Sequence, residues 1–373
     1  MRDVVYIDYN ATSPLRPAVR EAMAAAMTVP GNASSIHAFG RKARQKVESA
    51  RLEIAEFIGA NANQIIFTSG GTEANNTAIQ CTGRKRVLVS AIEHDSVRLV
   101  NKNAEIIPVD HNGTVRLDLL EQMLVANSEP ALVSVMLANN ETGVIQPVKQ
   151  IAEIAKKYGA LVHTDAVQAL GKMPINFAQL GVDLMTIAAH KSGGPQGIGA
   201  LVFTDAVPLM ALIRGGGQER SRRSGTENIV AIAGFGALIG ELKQRMATEI
   251  LVMRRLQQQL ESAIVKNSTV KIAGMDAHRL PNTTCLIWPA MKSDMQLMRL
   301  DMAGVAVSAG SACSSGKIKP SQVLQAMGYG ADVADCALRV STGWNSDAHD
   351  IEDFLVNYLS LDQNYSKSNL KAG

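Results

Sequence analysis

The stretch AAHKSGGPQGIGALVF (188–203) sets Lys191 between an apolar run and a glycine-rich turn. A lysine at the end of a buried run loses solvation. Its ammonium form is then disfavoured, and the neutral amine becomes a nucleophile that can form a Schiff base with a carbonyl. Most lysines beside flexible turns are merely solvated, so Lys191 gains weight only from its company. Asp165 ends another apolar run in HTDAVQAL (163–170), where it could cap a helix or aim a carboxylate into a cleft. FTSGGTEANN (67–76) passes from an apolar run through a glycine pair into a helical pattern. Thr72 is placed there as an N-cap, and free backbone N–H groups would take an anion such as phosphate. The spacing is neither GxGxxG nor GxxxxGK, so a nucleotide is not indicated. His94 in SAIEHDSV and the pair Asn139–Asn140 in LANNETG follow two further runs. Arg339, in ALRVST, has the fork for bidentate binding of an α-carboxylate, or equally for an ion pair. A phosphate cup, an acid to keep a pyridine nitrogen protonated and a Schiff-base lysine are together what pyridoxal 5'-phosphate requires.

The cysteines divide unevenly. Cys285 lies in the alternating run TTCLIW, Cys81 ends a helical pattern, and Cys336 sits among Ala, Leu and Val, all positions that read as packing. Cys313, in SAGSACSSGK (308–317), is surrounded by small and hydroxylated residues, where a thiol could swing between a buried site and solvent.

These residues need a scaffold. QIIFTS (64–69), KRVLVSA (85–91), ALVSVML (131–137), ALVHTDA (160–166), DLMTIAA (183–189) and GALVFT (199–204) read as strands. Helical patterns lie between several of them, as in PVKQIAEIAKKYG (147–159), which Gly159 stops. Alternation of this kind predicts an α/β fold with a mostly parallel sheet covered on both faces and a ligand at the C-terminal strand ends. After the loop RGGGQERSRRSGTEN (214–228), a long helix over about 229–266 leads to a second α/β segment with strands TTCLIW, VAVSAG (305–310) and CALRVST (336–342). A domain boundary is expected near residue 250, and the polar end DQNYSKSNLKAG is expected to be loose.

Composition narrows the classes. The chain has 373 residues, 46% apolar and 19% charged, with a net charge of +3, which fits a globular enzyme and gives no footprint for nucleic acid or an anionic membrane surface. The start, MRDVVYIDYN, has no long apolar stretch of a secretory leader. The longest apolar run, IVAIAGFGALIG (229–240), falls short of the roughly 20 residues of a membrane span. The cysteines lie far apart without a CxxC pair, so neither zinc nor a disulfide framework is expected, and a cytoplasmic location is.

Taken in order, YIDYNATSPL, FTSGGTEANN, the EH of IEHDSV, NNETGVIQ, HTDAVQ, AHKSGGPQGIGAL, GGGQERSRRSGT, SAGSACSS and LRVSTGWN give a chain that resembles the cysteine desulfurases of the NifS/IscS group, within the class V aminotransferases. The resemblance covers nearly the whole length. It implies a fold type I pyridoxal-phosphate enzyme, with a large domain over 14–250 built on a seven-stranded sheet. A small domain from 1–13 and 251–373 would carry the catalytic-cysteine loop at about 308–320. By position, Lys191 would hold the cofactor covalently, Asp165 would pair with its ring nitrogen, and His94 would stack on the ring and shuttle protons. Gln168 would bond the phenolic oxygen. Gly71, Thr72 and His190 would hold the phosphate, and Thr226 would reach the phosphate of a neighbouring subunit, which implies a homodimer. Asn140 and Arg339 would hold the carboxylate of L-cysteine, and Cys313 would take the sulfur as a persulfide for a protein acceptor such as an iron–sulfur scaffold.

One position departs from the pattern. The family usually has a serine, a phosphate ligand, two residues before the histidine of the HK pair, and here that residue is Ala188. Weaker cofactor retention is expected from the loss. Some relatives dock their scaffold through a longer C-terminal tail, so the acceptor stays open here. Competing readings are a selenocysteine lyase and a sulfur-transfer subunit without catalysis. An RNA-binding role for the basic loop 214–223 is weakened by the lack of an aromatic residue to stack a base.

Overall fold

A computed structural model describes residues 4–310 and 319–370, with side chains to Leu361. Cys313 therefore lies outside the described residues.

The seven-stranded sheet has the spatial order Ile65–Thr68, Gly199–Phe203, Leu184–Ala188, Leu161–Asp165, Ala131–Ser134, Arg86–Ser90, Glu105–Ile107. All neighbours are parallel except 199–203, which runs antiparallel to both 65–68 and 184–188. Successive side chains point to opposite faces, and both faces are covered. Val133, Val162, Met185 and Val202 join the core built with Val47 and Ile54 of helix Ala38–Ile58. Their neighbours Leu132, Leu161, Leu184 and Leu201 join a second core with Ala74 and Ala78 of helix Gly71–Gln80. Double burial is why these strands read as unbroken apolar runs.

The strand that the runs did not disclose is Glu105–Ile107. It is three residues long at the sheet edge, with Ile106 exposed. Its register is fixed by a bidentate ion pair from Arg86 to Glu105, at 2.7 and 2.8 Å.

Two smaller sheets follow. One has the order Ser308–Ala309, Ala337–Ser341, Thr283–Ile287, Lys271–Ile272, all antiparallel. In the other, Val5–Tyr6 pairs in parallel with Val305–Ala306, so the N-terminal segment is stitched to the C-terminal half. The expected strand 305–310 is thus two short strands in different sheets. Helix Ile229–Asn267 is capped by the Asn228 side chain, which accepts from Ala231 N. Its first half packs Phe235, Leu238 and Leu242 into the first core. Its second half packs Leu256, Leu260 and Ile264 against Trp288, Phe354 and Tyr358. The boundary expected near residue 250 falls inside this unbroken helix.

The last helix, Ala348–Leu370, runs through most of the segment expected to be loose. Once a helix is nucleated, each added residue gains a hydrogen bond for one residue fixed, so a polar sequence can continue it.

His163 illustrates what the double burial imposes. It is fully buried in strand 161–165, with Nδ1 at 2.8 Å from Ser134 Oγ and Nε2 at 3.0 Å from Thr186 Oγ1. Burial pushes its pKa down from 6.5 to about 3. Below pH 6.5 the unfolded chain binds a proton that the native imidazole refuses. This contribution to stability is therefore complete above 6.5 and is lost as the pH falls toward 3, by up to about 1.4 kcal/mol per pH unit. Urea unfolding at pH 7, 6 and 5 should show His163→Gln losing less stability with acid than the natural chain. Equal slopes would refute the assignment.

Candidate active site

A cavity of ≈ 220 Å³ opens at the C-terminal ends of the parallel strands. Gly71, Thr72, His94, Asn140, Asp165, Gln168, His190, Lys191 and Arg339 all line it, so nine positions singled out from the sequence meet in one place. Those from the large sheet lie at its strand ends or follow them, on the next turn or helix start, while Arg339 comes from the middle of strand 337–341 in the four-stranded sheet.

The anion cradle differs in detail from the expected one. Gly70, not Thr72, is the N-cap of helix 71–80, and no side chain caps it. Gly70 sits at φ +156°, a backbone conformation that L side chains rarely adopt. The helix therefore begins one residue ahead of Thr72. Its first N–H groups and the Thr72 hydroxyl are left for a ligand at the positive end of the helix. A Cβ on Gly71 would come to 2.9 Å from Val167 Cγ2, so the cradle closes on glycine alone. Ala188 is fully buried on the adjoining strand and offers no donor.

Asp165 caps no helix, because the residues after it form a turn, and it lines the cavity. One oxygen accepts from Val167 N at 2.9 Å, and the other accepts from Asn75 Nδ2 at 2.7 Å. Asn75 also donates to Ser96 Oγ at 2.8 Å, and Ser96 N donates to His94 Nδ1 at 3.1 Å. This last bond leaves the proton of a neutral His94 ring on Nε2. Asn75, absent from the sequence-based set, thus links the acid to the histidine. Its signal was its place one helical turn beyond Gly71, on the face that packs against the sheet.

Lys191 Nζ donates to the backbone oxygens of Asn10 and Ala11 at 2.7 and 2.6 Å. His190 is neutral at physiological pH, because burial and the nearby Lys191 and Lys172 push its pKa down to about 4. Arg339 is buried, with Nη2 on Asp8 Oδ1 at 2.7 Å and Nη1 on Asn140 O at 3.1 Å. Its Nε is a buried donor with no partner among the described residues. An unused donor of this kind is costly unless a ligand takes it, and a carboxylate in the cavity is the natural acceptor. Of the asparagine pair, Asn140 lines the cavity. Asn139 is structural, bonding Ile92 O and accepting from Glu141 N and Thr142 N.

A second cavity of ≈ 240 Å³ shares His94 and Asn140 with the first. Gly310 and Lys319 line it, and these are the residues on either side of the stretch that carries Cys313. Two buried carboxyl groups face the same space. Burial raises the pKa of Glu93 to about 8 and that of Glu141 to about 7. The other cysteines, Cys81, Cys285 and Cys336, are buried, and burial pushes the Cys285 thiol up to about 12.

Thr226 does not join the main cavity; it lines a separate pocket with Ser69 and Glu227. Its loop is held by Glu219, which accepts both Arg51 guanidinium nitrogens at 2.7 and 2.8 Å and Phe67 N at 2.9 Å. Arg223 pairs with Glu73, and Arg222 lies over the Phe203 ring. Arg222 and Arg223 of the basic loop are thus engaged within the chain, while Arg214 and Arg220 are exposed. Among the described residues, no cluster of His, Cys, Asp or Glu forms a metal site, and no helix is long and apolar enough to cross a membrane.

Comparison with known proteins agrees with this geometry. The family model described as aminotransferase class-V matches residues 5–354. A Dictyoglomus turgidum protein named cysteine desulfurase IscS is 41% identical over 94% of this chain and 92% of its own length. A cysteine desulfurase of Rhodobacter capsulatus is 40% identical over 94% of both. A NifS-like protein from Rickettsia africae superimposes with a TM-score of 0.90 at 36% identity, covering 96% of this chain and 99% of the other. With the model matched over nearly its full length, the chain belongs to the class V aminotransferase family.

Proposed function

We propose that this protein is a cysteine desulfurase that uses pyridoxal 5'-phosphate, converts L-cysteine to L-alanine and passes the sulfur to Cys313. One observation carries the reading. An uncapped helix N-terminus, an amine, a carboxylate and an arginine with a free buried donor converge on one cavity. That donor set fits a phosphorylated pyridine aldehyde together with an amino acid. When bound, the cofactor supplies an electron sink for charge developing at the amino acid's α-carbon.

The residues then divide the work. The N–H groups at Gly71 and Thr72, with His190, hold the phosphate. Asp165 keeps the ring nitrogen protonated, oriented by Asn75. Gln168 donates to the phenolic oxygen. Lys191 Nζ would hold the cofactor and would serve as the base that takes the α-proton of the bound amino acid. Arg339 and Asn140 fix the substrate carboxylate. His94 carries a proton at Nε2. Cys313, as thiolate, attacks the substrate sulfur; an S–S bond forms as the Cβ–S bond breaks, and the electron pair left on carbon takes up protons to give alanine. The chain enters and leaves the stretch with Cys313 at residues lining the cavity beside His94, which supports this role. Thr226 reaches the phosphate of a second copy in a homodimer, which accounts for its place outside the main cavity. The persulfide passes to a protein acceptor such as an iron–sulfur scaffold.

Alanine and sulfide production from L-cysteine with a reductant tests the reading. Cys313→Ala should retain the visible cofactor band while sulfide falls to background; equal release by both proteins would refute the role of Cys313. Arg339→Lys loses bidentate geometry worth roughly 1.5–3 kcal/mol. It should raise KM for L-cysteine by about ten- to a hundredfold, and an unchanged KM would remove Arg339 from the substrate site. Ala188→Ser restores a hydroxyl beside the cradle. It should tighten pyridoxal 5'-phosphate binding by about tenfold or more, the weight of one hydrogen bond to a charged group, as measured by equilibrium dialysis. An unchanged dissociation constant would show that the cradle is complete without it.

A further inference from the structure

Lys172 is a buried amine that the chemistry above leaves unused. It is 3% exposed, and its Nζ meets two amide oxygens, Asn10 Oδ1 at 3.0 Å and Gln168 Oε1 at 2.9 Å. Burial, with Lys191 and Arg339 nearby, holds its pKa well below the usual lysine range. A neutral amine has two N–H donors, and both are engaged.

The two acceptors are themselves constrained. Asn10 Oδ1 also accepts from Asn282 Nδ2 at 3.0 Å, and Asn10 Nδ2 donates to Asn140 O and Thr283 Oγ1. Its amide cannot turn without breaking four bonds. Gln168 gives one Nε2 hydrogen to Asn10 O at 3.0 Å, the same oxygen that accepts from Lys191. The second Nε2 hydrogen is left for the cavity that Gln168 lines. End-for-end rotation of this amide would set Oε1 against Asn10 O, acceptor against acceptor, and would leave the Lys172 donor without its oxygen.

We propose that Lys172 is a positioning residue: by donating to Gln168 Oε1 it makes Gln168 present an N–H, rather than a carbonyl oxygen, to the phenolic oxygen of the pyridoxal ring. The inference rests on the proposed function. An N–H stabilises the ionised phenolic oxygen, whereas a carbonyl repels it, so the orientation of one amide sets the proton affinity of the bound chromophore. The other charged or titratable groups facing this point are Lys191, His190, His94, Asp165 and Arg339, with Asp8 behind Arg339. None of these residues is substituted in the variants below.

The test is a pH titration of the visible band of the holoenzyme. Lys172→Met should move the midpoint upward by about one pH unit, a tenfold rise in proton affinity. Gln168→Leu should produce a similar rise, and the double variant should rise no further, because both changes remove one donor. Lys172→Gln keeps a two-hydrogen donor and should stay near the natural midpoint. An unmoved midpoint in Lys172→Met overturns the proposal. So does an additive shift in the double variant, which would mark Lys172 as a simple charge. A Lys172→Gln midpoint at the Gln168→Leu value overturns it too, whether or not Lys172→Met folds. Absence of any visible band in the natural protein loaded with pyridoxal 5'-phosphate would overturn the proposed function, and this inference with it. A normal band with an unmoved midpoint sinks the positioning role alone.

Discussion

The site is organised around Asn10, a 1%-exposed residue whose every polar group is engaged. Its N–H donates to Ser341 Oγ, and its carbonyl accepts from Lys191 and Gln168. Its side-chain oxygen accepts from Lys172 and Asn282, and its side-chain nitrogen donates to Asn140 O and Thr283 Oγ1. Residues near the C-terminal ends of the large sheet and residues of the four-stranded sheet thus meet at one amide. A buried network is strong only while every member is satisfied; deleting one partner strands several others. The N-terminal segment reaches this position because Val5–Tyr6 pairs with Val305–Ala306 and Asp8 bridges to Ser341. The same segment supplies Asp8 to Arg339, and Asp8 also accepts from Ser308 Oγ at 2.7 Å. One short stretch therefore positions the amine at one side of the cavity and the guanidinium at another.

Burial sorts the ionisable groups around this node. His190 is kept neutral beside Lys191 and Lys172, so it can donate a hydrogen bond without adding a positive charge there. Glu93 and Glu141, enclosed beside His94, are pushed toward their protonated forms. Asp165, in the adjoining cavity, accepts from Val167 N and Asn75 Nδ2.

What the sequence disclosed follows the same physics. Strands covered on both faces carry an unbroken apolar run, so six of the seven in the large sheet stood out. Glu105–Ile107, covered on one face and three residues long, did not. Lys191, Asp165 and His94 were legible because each ends such a run. Thr72 was misread as the cap because the choice rests on the dihedral of Gly70, which composition does not reveal. Asn10, Asn75 and Lys172 were invisible for another reason. Their partners lie from 4 to 331 residues away, and an asparagine that organises a buried network looks like any loop asparagine. The polar helix end at 362–370 escaped notice because propagation from a buried helix needs no apolar stripe of its own.

The reversed strand Gly199–Phe203 has a mechanical meaning. Parallel neighbours must be joined by a long crossover, but 184–188 and 199–203 are antiparallel, so the turn between them is closed directly against the sheet. Ala189 N bonds Ile198 O across its base, and Gly194 N returns to Ala189 O. Lys191 hangs from that clasp. Its main chain is held on both flanks, and the travel that its amine needs is confined to rotations of its four methylenes.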